Sequence, residues 1–111
     1  MDESLSSPHQ ISIARGNIYL PREVCDAYFR NIENVALLPH EAGFLIIPLM
    51  QDAAGGSLLK VKNLRGDRVV HAQEFWRQIG YSEQFEESIY PVRWEPNRAA
   101  LLVSGSFPIK K

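Results

Sequence analysis

The chain has 111 residues, 45% of them hydrophobic and 23% charged, with a formal net charge of -1. That is enough for one globular domain with a modest core and too little for a catalytic domain joined to a regulatory one. The balanced charge excludes a wholly basic nucleic-acid binder and a disordered polyelectrolyte. The single cysteine, Cys25, rules out an intrachain disulfide and a cysteine-cluster zinc site and suits a reducing compartment. No apolar run reaches the length of a bilayer-crossing helix, and the acidic start Met1-Asp2-Glu3-Ser4 lacks the features of a secretory signal. A cytoplasmic, non-membrane protein is expected.

Residues 1–9 are polar, carry Pro8 and read as a loose lead-in. Ile11 and Ile13 alternate with other residues over 10–14, a turn is expected at Arg15-Gly16-Asn17, and Ile18 and Leu20 resume the two-residue period. Pro21 suits the first position of a short helix. In it Val24, Ala27, Tyr28 and Phe29 form the apolar stripe, and Arg22, Glu23, Asp26 and Arg30 face water. Strands over 35–38 and 44–47 flank a turn at 39–43 and make a hairpin, with Pro48 limiting the second strand. The stretch 51–56, ending in Gly55-Gly56, is the natural linker. Next come a strand over 58–62, a turn at 63–67 and a strand resuming at 68–70. A helix over 73–80 follows, with Phe75, Trp76 and Ile79 on its apolar side and Gly80 as its C-cap. After the acidic stretch 81–87, strands 89–94 and 99–103 make a second hairpin around Glu95-Pro96-Asn97-Arg98, and 105–111 form a tail.

The order strand, helix, strand, turn, strand therefore occurs twice. Arg15-Gly16-Asn17-Ile18-Tyr19-Leu20 is echoed 50 residues later by Arg65-Gly66-Asp67-Arg68-Val69-Val70, and the two hairpins correspond at an offset near 55. A unit too small to bury its own apolar face packs against a copy of itself. One domain over 10–104 is expected, made of copies at 10–50 and 57–104, in an α+β, mainly β fold with pseudo-twofold symmetry. Charge repeats less well than apolar period. Residues 1–56 hold three arginines against seven acids, and residues 57–111 hold nine lysines and arginines against six.

Gly16-x-Ile18-x-Leu20-Pro21, followed by Val24 and the downstream hairpin, resembles the swapped-hairpin barrels of the AbrB-like and MraZ-like transition-state regulators and antitoxins. Their signature is a glycine turn, an alternating strand, a proline, a short helix and a hairpin. In the second copy His71 stands at the place of Pro21 and Arg68 at that of Ile18. The resemblance covers about residues 10–104. It implies a small barrel of interdigitated copies, with swapping within or between chains, and monomer or homodimer, left open. It also implies duplex DNA as the ligand and a transcription-regulating, antitoxin-like role, because basic residues near the start of each unit face DNA in such relatives.

On that basis Arg15 and Arg65, at equivalent turns, lead the candidate DNA contacts. Lys60, Lys62 and Arg68 extend them in the second copy, with Lys60 and Lys62 on one strand face opposite Leu59 and Val61. The plainer alternative is that both arginines keep a turn solvated, with Arg65 paired to Asp67. The first copy has Gln10 and Ser12 where the second has Lys60 and Lys62, so a symmetric basic face is incomplete. A second class of function, a protein-interaction module, would use the acidic helix surfaces with Glu83, Glu86 and Glu87, or Trp76, which cannot point the same way as Phe75 on a helix and so lines either the contact between the copies or a partner surface. An enzyme is not expected, since no phosphate loop, dinucleotide fingerprint, metalloprotease helix or nucleophile elbow occurs. Cys25 reads as a small hydrophobe. His71 and His40-Glu41 lack ligand or nucleophile neighbours at suitable spacing, and no cofactor or metal is expected.

Overall fold

Two successive positive φ angles, 55° at Arg15 and 81° at Gly16, give a tight turn whose twist suits a two-residue hairpin. Strands β1 (Gln10–Ala14) and β2 (Asn17–Leu20) pair across it, with Ala14 opposite Asn17. Alternation then buries Ile11, Ile13, Ile18 and Leu20. Pro21 is the N-cap of helix α1 (Arg22–Tyr28), one position before the first helical residue where it was expected. The helix buries Val24 and Cys25, and Phe29 just past its end, but leaves Ala27 exposed. Phe29 is the larger apolar group, and its burial rotates the stripe away from Ala27.

The computed structural model describes residues 9–41, 43–50, 55–80 and 87–105. The lead-in before His9, linker residues 51–54, the acidic residues 81–86 and the tail beyond Gly105 lie outside the described residues. Strands β3 (Asn34–His40) and β4 (Gly43–Leu49) form the first long hairpin, with His40 opposite Gly43. They run through Pro39 and Pro48, which the sequence places at a turn and at a strand limit. Both prolines stand where the strand has a sheet neighbour on one side: β5 (Ser57–Leu58) reaches only Asn34 and Val35 of β3, and β9 (Ala100–Val103) reaches only Phe44, Leu45 and Ile46 of β4. A missing N–H there costs no ladder bond.

The strand expected over 58–62 is divided. Leu59 N donates to Glu33 O at 2.8 Å, continuing the pairing of β5 with β3, whereas the next residue opens β6 (Lys60–Val61) and pairs with Val69 of β7 (Arg68–His71). With β8 (Ser88–Glu95) the antiparallel sheet runs β5-β3-β4-β9-β8-β1-β2-β7-β6. Its two end strands are thus separated by the single residue Leu59, which is 3% exposed, and the sheet curls into a nearly closed, mainly β barrel with two short helices.

Helix α2 (Gln73–Ile79) ends on Gly80 in the left-handed region at φ 82°, as the sequence indicates. Its N-cap is Ala72, so Ala72 rather than His71 takes the place of Pro21, and the second entry to a helix is one residue longer. Trp76, expected to line either the contact between the copies or a partner surface, is 3% exposed and packs against the first part of the chain. Its ring meets Phe44 edge-on at 5.2 Å, Phe75 lies 5.7 Å from the same ring, and the indole Nε1 donates to Gly16 O at 3.1 Å. Each aromatic contact is worth about 0.5–1.5 kcal/mol beyond burial, and the hydrogen bond about 1 kcal/mol. Together they fasten α2 to the first hairpin turn and to β4.

Leu59→Ala should cost about 2–5 kcal/mol, since it removes a buried side chain at the closure, whereas Leu58→Ala, at a 52% exposed position, should stay within about 0.5 kcal/mol. Urea unfolding of the two variants measures the difference.

Candidate nucleic-acid interface

Residues directly opposite on neighbouring strands share a sheet face. Ser12 lies opposite Tyr19, Tyr19 opposite Val69 and Val69 opposite Lys60, so one row crosses β1, β2, β7 and β6 on the outside of the barrel. Ile13, Ile18 and Val70 make the neighbouring inward row. Lys62, two residues beyond Lys60, follows the outward side, and its Nζ sits 4.8 Å from the centre of the Tyr19 ring. That contact is worth roughly 0.5–1 kcal/mol at an exposed site and holds the ammonium over the sheet. None of these four strands contains an acidic residue.

The two arginine turns bracket this face. Because β2 and β7 are antiparallel, Asn17 meets His71 at one end and Leu20 meets Arg68 at the other. The Arg15 turn thus caps one end of β2 and the turn before β7 the other, roughly 13 Å apart along the strand at about 3.3 Å per residue. The structure places Lys60 and Lys62 on this face and Arg15 and Arg65 on exposed turns at its two ends, with Arg65 beside Arg22, Glu23 and Asp67. It separates Arg68 from them. Arg68 shares the inward parity of Leu20, and its Nη1 donates to Ile32 O at 3.5 Å and Leu59 O at 3.3 Å, pinning the closure of the barrel.

Asp67 organises the second turn. Its carboxylate accepts from Asn63 Nδ2 at 3.0 Å, from Arg65 Nη2 at 3.1 Å and from the backbone N–H of Arg22 at 2.9 Å. Asn63 Oδ1 in turn accepts from the backbone of Arg65 and Asp67. Pro21 supplies no side-chain cap to α1, so Asp67, 45 residues away, satisfies the first free N–H of the helix. The amide of Asn63 first, then the Arg22 N–H, hold the Asp67 carboxyl below its ordinary value, with Arg65 adding to both. The expected Arg65–Asp67 pair is therefore present. Arg15 takes part in no ion pair among the described residues. Asn17, at the position corresponding to Asp67, accepts instead from Gln73 Nε2 at 3.0 Å and faces His71 Nδ1 at 2.7 Å, and Gln73 Nε2 also reaches Arg15 O at 2.9 Å.

The other candidates are accounted for by local partners. On the helices Arg22 pairs with Asp26 at 3.3 Å and Arg77 with Glu74 at 2.7 Å, which offsets the acidic surface expected there. Glu87 is exposed, and Glu83 and Glu86 lie outside the described residues. Burial pushes the Cys25 thiol up to about 11 against the pull of Arg68, so at neutral pH it stays protonated and unreactive, donating to Leu20 O at 3.6 Å. His40 Nε2 lies 3.9 Å from Glu41. Among the described residues no group of three or more His, Cys, Asp or Glu is placed to hold a metal, and no helix is long and apolar enough to cross a membrane. Sequence reading missed Tyr19 as part of this face. Its signal was parity, since Tyr19 falls between the inward Ile18 and Leu20.

No family model, curated protein or solved structure matches the chain.

Because folding lowers the Asp67 pKa from its ordinary 3.8, the native state holds fewer protons than the unfolded chain in that region, and this contribution to stability is present above pH 3.8 and lost as pH falls through the lower native value. Asp67→Asn should flatten the acid limb of stability relative to the native chain. Urea midpoints at pH 7 and pH 3 check it.

Proposed function

We propose that the chain is a duplicated, pseudo-twofold barrel of the AbrB-like or MraZ-like kind, and that it acts as a non-catalytic regulator binding duplex DNA through the outward face of β1, β2, β7 and β6. The duplication is supported by strand order. Exchanging β1 with β6, β2 with β7, β3 with β8 and β4 with β9 turns β3-β4-β9-β8-β1-β2-β7-β6 into the same ring read in the opposite direction, with β5 bridging β6 to β3. The turn residues Asn17 and Asp67 also both reach the start of the other half's helix region, at Gln73 and Arg22.

The observation that carries DNA binding is the outward face, built from four strands without acidic residues and with Asp67 at its edge beside Tyr19 and Lys62, on which Lys60 and Lys62 stand between two Arg-Gly turns at opposite ends of the β2·β7 pair. Duplex DNA presents two related phosphate tracks, and cations spaced on the outward face of the curled sheet meet them as point contacts, while the arginine turns reach groove edges or phosphates. A protein-interaction role is the second reading. It is favoured by the fully exposed Leu64 and by Val61, 67% exposed, on an open groove of about 570 Å³ beside Arg22 and Arg30.

Fluorescence anisotropy with a pool of randomised duplexes, at stepped salt, separates the readings. Affinity should fall linearly on a log–log salt plot, and Arg15→Ala with Arg65→Ala should reduce the slope by about 1.8, at roughly 0.9 for each phosphate no longer neutralised. Absence of binding to any duplex at low salt contradicts the DNA reading and leaves the interaction module.

A further inference from the structure

We infer that the duplex site is non-palindromic, with one half held by the β6–β7 side of the face and a weaker half held by the β1–β2 side; this rests on the DNA reading above. In the strand register, exchange of the two halves carries Lys60 to Ser12 and Lys62 to Ala14, two positions from the sequence correspondence with Gln10 and Ser12, because Ser12 lies opposite Tyr19 as Lys60 lies opposite Val69. The loss of charge is not hidden by burial. Ser12 sits in the same outward row as Tyr19, Val69 and Lys60, so the face has lysines on one side of the Tyr19·Val69 pair and uncharged side chains on the other.

The pair at the centre is itself unequal. Tyr19 offers a ring that seats the Lys62 ammonium at 4.8 Å, whereas Val69, on the other strand, offers none, and Ser12 brings no ammonium to it. The turns differ in the opposite sense, which reduces the inequality without cancelling it. Arg65 is oriented by the Asp67 carboxylate at 3.1 Å, while Asn17 turns to Gln73 and leaves Arg15 outside any ion pair among the described residues. One half therefore presents two ammonium groups and an arginine offset by the Asp67 carboxylate, and the other a single arginine on a turn. Phosphate affinity grows with the number of cations engaged together, so the two halves of a bound duplex are held unequally. A ligand matched to such a face carries its sequence information asymmetrically about its centre.

Hydroxyl-radical footprinting of the full chain on a duplex enriched from a randomised pool tests this. The expected result is stronger protection of one half. Lys60→Ser with Lys62→Ala, which gives the second half the residues that the register places opposite them in the first, should abolish the stronger protection and lower the salt slope by about 1.8. Ser12→Lys with Ala14→Lys should extend protection on the weak half. Circular dichroism checks that each variant keeps the fold. Equal protection of both halves by the native chain, or enrichment of palindromes, overturns the asymmetry while DNA binding stands. Absence of protection on every duplex at low salt removes both.

Discussion

The strands of each half complete their hydrogen bonding only on strands of the other half. Within a half, chain-local pairing is confined to hairpins: β1 with β2, β3 with β4, β6 with β7 and β8 with β9. The second neighbour of β1 is β8, that of β2 is β7 and that of β4 is β9. A lone hairpin is marginal in water, and an open sheet edge exposes unpaired backbone groups. Interlocking removes most of that edge and places Ile18, Val70, Phe44 and Leu101 in one shared core. Pairing between residues some 50 positions apart also makes closure the entropically costly step of folding, since the loop must be ordered before the contacts reward it.

Closure and the candidate site are one structural problem. Leu59 commits its backbone to Glu33 and its side chain to the core, and Lys60, the next residue, pairs outward with Val69. The position of the lysines is thus set by the residue that joins the two ends of the sheet. Arg68 braces the same point from inside through the carbonyls of Ile32 and Leu59. Asp67 adds a third tie, since it caps α1 of the first half while ordering the Arg65 turn of the second. Loss of closure would therefore disperse the cations before it exposed much of the core.

The sequence made the strands of period two legible, because Ile11, Ile13, Ile18 and Leu20 alternate without interruption, and Gly80 marked the end of α2 through its left-handed φ. It also made Lys60 and Lys62 legible as residues of one face. Other features depended on neighbours that no local window contains. Pro39 and Pro48 read as strand limits, yet they sit inside strands whose outer sides are free there. A single strand over 58–62 was the natural reading, and its division at Leu59 follows from the two different partners on either side. Arg68 read as a surface cation because its charge was weighed above its parity with Val70. Trp76 looked free on helical geometry alone, and the approach of Phe44 together with the Arg15-Gly16 turn, which supplies the carbonyl, buries it.

Native-state hydrogen exchange on the full chain tests the interlocking most directly. If the halves complete one another, the slowest amides of β1–β4 and those of β7–β9 exchange through a single opening whose free energy and denaturant dependence equal those of global unfolding. Slow amides of one half exchanging through a separate, lower-energy opening, with the other half still protected, would contradict it.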